Sequence, residues 1–146
     1  MIKIILLLLP IALLSQDVPV GQWKDYLAYN QTTDVVIANE KIYCVAQGGL
    51  YYYNTIDNSI NRLSKINGLS DNEIDQINYN NYNNTLLITY ENCNVDLLKN
   101  DEVFNISDIK RKEINGLKKI NNVFFNENLA YLSCSFGIVV IDLARK

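Results

Sequence analysis

Residues 39–46 read NEKIYCVA, residues 83–90 read NNTLLITY, and residues 127–134 read ENLAYLSC. The three segments lie 44 residues apart. Each is a polar turn followed by a run that is apolar or β-branched at nearly every position. Such a run, bounded by turn residues, suits a strand buried on both faces. A second run follows each one: GLYYY at 49–53, NVDLL at 94–98 and GIVVI at 137–141. The middle copy has one extra residue within 91–94, the size of a turn variation or bulge.

Working outward, a preceding run also recurs. Residues 74–80 (IDQINYN) match 120–126 (INNVFFN), and 33–39 form a looser first copy. Residues 60–63 and 103–106 supply a fourth run. The unit is thus four short antiparallel strands in about 44 residues, the size and strand number of a β-propeller blade. The copies fall near 39–80, 83–126 and 127–146, so the expected fold is all-β, an incomplete propeller of fewer than three blades. A β-sandwich is the competing architecture, but it does not require sequence-similar copies. The three consecutive tyrosines, Tyr51, Tyr52 and Tyr53, are aligned with Val95, Asp96 and Leu97, and with Val139, Val140 and Ile141. Aromatic side chains suit a half-buried pleated surface, so a structural role is expected for them.

The chain begins with a lysine at position 3 and an apolar run over 4–14. That run is shorter than the roughly 20 residues needed to cross a bilayer. A basic start, a short apolar core and polar residues after it read as a secretory signal peptide over 1–16; a buried strand or helix end is the alternative. Residues 17–146 would be the mature partial propeller, and 22–29 reads as a further strand. Unpaired strand edges, with the apolar face of Ile138 and Val140 uncovered, predict self-association. Fewer than three blades cannot close a ring, so a fragment of a longer protein is expected.

Asparagine occurs 21 times, clustered between apolar runs, which is turn chemistry rather than a disordered tract. Net charge is −3, or −4 without Lys3, and no basic stripe of the kind nucleic acid requires is evident. Cys44, Cys93 and Cys134 are too few for a disulfide scaffold and read as free thiols, at least two of them packed as small hydrophobes.

Histidine is absent, which removes His-based triads and the commonest metal ligand. Gly48-Gly49 is a turn, not a phosphate loop. The acids Asp25, Asp34, Asp57, Asp71, Glu73, Asp96 and Asp101 mostly fall at expected turns. Asp71, Glu73 and Asp75 alternate as calcium ligands sometimes do, but calcium takes six to eight oxygens from a dedicated loop; a solvated face is the simpler reading. Lys110-Arg111-Lys112, with Lys118-Lys119, either meets an anionic glycan or lipid head group or is a solvated loop. The N-x-S/T triplets at Asn30, Asn83 and Asn105 carry little weight if the source is bacterial. No catalytic, metal or cofactor-binding residue, and no cofactor, is assigned.

NGLSDNEIDQINYNNYNNTLLITYENCNVDLL (67–98) resembles the blade pattern of two-component-regulator propellers of Bacteroidetes. GQWKDYLAYN (21–30), SKINGLSDNEI (64–74) and FGIVVIDLARK (136–146) bring the chain closer to the N-terminal propeller of PorZ-like proteins of the type IX secretion system. That resemblance implies a non-enzymatic scaffold at the outer-membrane surface or in the periplasm. Its implied partners are a sortase-like component and anionic lipopolysaccharide, with no nucleic acid and no transmembrane segment. The alternative is the sensor propeller of a hybrid two-component regulator.

Overall fold

The computed structural model describes residues 30–145. The expected signal peptide over 1–16 and the expected strand over 22–29 fall outside the described residues. Among the described residues eleven strands form three consecutive antiparallel meanders. The first sheet is β1 (Thr32–Ala38), β2 (Lys41–Ala46), β3 (Gly49–Asn54) and β4 (Ile60–Leu63). The second is β5 (Ile74–Asn80), β6 (Thr85–Tyr90), β7 (Val95–Lys99) and β8 (Glu102–Ile106). The third holds β9 (Ile120–Asn126), β10 (Leu129–Cys134) and β11 (Gly137–Asp142). Two complete blades and part of a third agree with the propeller expectation. Each sheet starts one strand before the turn that opens each sequence copy. The first inner strand also begins one residue earlier than the sequence alignment places it.

Why these segments pair follows from their turns. Gln47 and Gly48 both have positive φ, 47° and 74°, as a two-residue type I′ hairpin requires. The second blade replaces that turn with three residues, 91–93, and Cys93 adopts φ 62°. This is the extra residue seen in the sequence. It also shifts the alignment: by strand pairing Tyr51 corresponds to Asp96 and Val139, not to Val95.

Burial explains the unbroken apolar spelling of TLLITY. All six residues of β6 are buried, because the strand serves two junctions. Leu86, Ile88 and Tyr90 pack toward the first sheet with Tyr43, Val45 and Leu50. Leu87 packs toward the third with Val123, Ala130 and Leu132. Each such side chain contributes about 1.5–3 kcal/mol of burial free energy. The inner strands carry one irregularity each at the same place, leaving Thr33, Asp75 and Asn121 without a cross-strand partner. A repeated bulge of this kind strengthens local twist.

Candidate interaction surface

Side chains of one blade's inner strand bond the backbone of the next blade where no strand pairing exists. Asp34 Oδ2 accepts from the Ile77 N–H at 2.9 Å. In the next junction Gln76 Nε2 donates to the Ile120 carbonyl at 3.3 Å, and Asn80 Nδ2 to the Glu127 carbonyl at 2.7 Å. The asparagines of the sequence therefore serve junctions as well as turns.

The linker between the first two sheets is held by two carboxylates. Asp96, fully buried in the middle of β7, accepts from Tyr90 Oη at 2.6 Å, the Ser70 N–H at 2.8 Å and Asn105 Nδ2 at 2.8 Å. Burial first, and then the Asp96 bond, raise the Tyr90 phenol's pKa. Asp71 accepts from Lys110 Nζ, from Asn92 Nδ2 at 2.7 Å and from the Asn72 N–H at 3.2 Å. Burial alone would raise the Asp71 carboxyl; the Lys110, Asn92 and Asn72 bonds outweigh it and hold it down at about 2.

Two sequence readings need correction. Asp96 does not sit at a turn, and Asp71 does not belong to a solvated face: its side chain is 15% exposed. Glu73 is exposed as expected. Asp71 faces Lys110, Asp75 occupies the bulge, and among the described residues no group of His, Cys, Asp and Glu is placed to hold a metal ion. The signal for Asp96 was present: a carboxylate inside an apolar strand has to be hydrogen-bonded to be tolerated.

Most of the basic run is engaged internally. Lys110 bonds Asp71, Arg111 bonds Asp108, and Lys118 Nζ donates to the carbonyls of Ile109, Lys110 and Lys112. Lys118 thereby satisfies the C-terminal carbonyls around α1 (Asp108–Arg111), while Lys112 and Lys119 are exposed. The tyrosines are likewise structural. Tyr52 packs on Tyr43 with ring centroids 5.2 Å apart, and Lys41 Nζ lies 4.8 Å from the Tyr52 centroid. Tyr53 Oη bonds Asn58.

Between the first two sheets, at the β1–β2 turn end, a cleft of about 240 Å³ is lined by Asn39, Lys41, Tyr43, Tyr79, Asn84 and Asp101. Lys41 bridges it to Asp101 at 2.6 Å. Burial would lower the Lys41 ammonium's pKa, but the Asp101 bond outweighs it and raises it; burial pushes the Tyr43 phenol up to about 12. A wider cleft at the opposite end, about 400 Å³, is lined by Thr33, Gln47, Gly48, Glu73, Asp75 and Glu91. Neither brings together a nucleophile with a base. Both can present hydrogen-bonding and charged groups to a partner.

Four-stranded meanders stacked through their inner strands define a β-propeller module. The family model for the N-terminal β-propeller domain of PorZ of the type IX secretion system matches residues 42–146, and the chain belongs to that family. A solved structure of PorZ from Porphyromonas gingivalis, described as an essential bacterial surface component of the type IX secretion system, superposes with a TM-score of 0.76 at 31% identity. The match covers 81% of this chain and 16% of that one. A search of curated proteins found no match. Among the described residues no helix is long and apolar enough to cross a membrane.

Proposed function

We propose that the chain is a non-catalytic scaffold module of a type IX secretion attachment complex, exported to the outer-membrane surface or periplasm. Its membership of the PorZ N-terminal propeller family carries this reading. The use of Asp34, Asp71 and Asp96 in junction and linker bonds supports it, because those carboxylates are spent on architecture. Its partners in this reading are a sortase-like component and anionic lipopolysaccharide. With most of the basic run tied to the fold, the clefts at the blade junctions are the surfaces open to a protein partner.

Disruption of the gene in its host tests the reading. Loss of surface cargo, with the cargo's C-terminal sorting domain retained, is the expected result; normal processing overturns it. Co-purification of the sortase-like component and retention of anionic lipopolysaccharide are scored separately. A downstream transmembrane helix and kinase in the reading frame would instead establish the sensor alternative.

A further inference from the structure

The open faces of the first and third sheets are built on the same positions as the faces that the two junctions bury. Residues paired directly across neighbouring strands lie on one face of a sheet. In the first sheet Val36, Tyr43 and Tyr52 form such a row, and it packs into the junction with the second sheet. The matching row of the second sheet, Leu87, Leu97 and Phe104, packs into the junction with the third. In the third sheet that row is Phe124, Tyr131 and Val140, and Phe124 and Val140 are exposed. Two residues before Tyr52 and Leu97, Leu50 and Val95 are buried at their junctions. Ile138 holds that position before Val140 and is exposed.

The receiving faces repeat in the same way. Ile77 with Ile88, and Tyr79 with Leu86, take the packing of the first sheet. Val123 with Leu132, and Phe125 with Ala130, take that of the second. Their counterparts in the first sheet are Val35 with Cys44 and Ile37 with Ile42, and Val35 and Ile37 are 58% and 68% exposed. The polar grip repeats as well. Asp34 and Gln76 hold matching positions, opposite Val45 and Thr89, and each bonds the backbone of the next inner strand. On β9 that position belongs to Asn122, opposite Ser133, and it is exposed.

We propose that the open face of the third sheet docks head to tail on the open face of the first sheet of a second copy of this chain. The chain itself shows this mating twice. At both junctions a face bearing the Tyr52-type row is covered by a face bearing the Val35-type row, and at neither does a face meet its own kind. A second copy presents the missing counterpart to each open face, and Asn122 then meets the backbone of the partner copy's β1. Contact between unlike faces is heterologous, so each copy keeps one face of each kind to offer.

The test reads the two faces separately. I138K/V140K puts cations on the third-sheet face and V35K/I37K on the first-sheet face, all at exposed positions; urea midpoints close to wild type show that both variants fold. In sedimentation the wild-type 146-residue chain should associate and each variant alone should shift to monomer. An equimolar mixture of the two should recover a dimer through its one intact pair of faces. Cys44 supplies a readout that needs no substitution in the wild type. It lies half-buried on the first-sheet face, directly opposite Val35, whereas Cys93 and Cys134 are buried. Its alkylation in the native chain, followed by peptide mapping, should slow as protein concentration rises, and I138K/V140K should remove that protection although it alters the other face. A monomeric wild type, association that survives either variant, a mixture that stays monomeric, or Cys44 alkylation that is independent of concentration or still protected in I138K/V140K each overturns the proposal. Loss of association in I138K/V140K but not in V35K/I37K would show third-sheet faces pairing with each other instead.

Discussion

Asp96 is a carboxylate fully withdrawn from water and given three donors. Removing it leaves those donors unpaired, and a buried unpaired donor costs about 1–3 kcal/mol. D96A should therefore destabilise the chain by more than Y90F, which removes one donor and should cost about 1 kcal/mol; urea midpoints of the two variants give the comparison. Asp71 supplies a pH dependence. Its folded pKa of about 2 lies below the unfolded value near 4, so its stabilisation is complete above about pH 4. It is lost as pH falls from about 4 toward 2. D71N should abolish that part of the acid dependence and lower stability at neutral pH by roughly 1 kcal/mol, because Lys110 is partly solvated. An unchanged slope of stability against pH between wild type and D71N would remove this role.

At the scale of elements, the turns set the register and the bulges set the twist. Gly48 combines φ 74° with a close approach: an added Cβ would sit 3.0 Å from the Glu73 Cα in the linker that enters β5. Both partners there are backbone, so neither can rotate away. G48A should lower the urea midpoint by an amount equivalent to about 1–3 kcal/mol, and hydrogen exchange should quicken at Ile74, whose N–H bonds the Gly48 carbonyl. Exchange unchanged at Ile74 would show that the turn does not hold the junction.

Across the whole molecule, the third sheet presents apolar side chains on the side away from the second. Phe124, Ile138 and Val140 are 67%, 74% and 51% exposed. Contiguous apolar surface of this kind drives association. The 146-residue chain should self-associate at about micromolar concentration, and I138K/V140K should shift sedimentation toward monomer by relieving that face. A wild-type monomer at those concentrations would show that the face tolerates water.

The sequence by itself determined the strands and their order. Period-44 spacing, β-rich runs and asparagine turns act locally, and each names its element without reference to distant residues. TLLITY announced a strand covered on both faces because every position in it avoids water-facing chemistry. The resemblance of residues 67–98 to the blade pattern likewise pointed to the family that the comparison over 42–146 shows. Contacts between blades were decided only in the tertiary structure. The engagement of Asp71 by Lys110 and of Ser70 by Asp96 joins residues 39 and 26 positions apart. No local rule of spacing relates such residues, because the junction is set by how two twisted sheets stack. A one-residue change in a single turn was enough to slip the alignment of Tyr51 onto Val95, since a strand's side chains alternate faces with every residue.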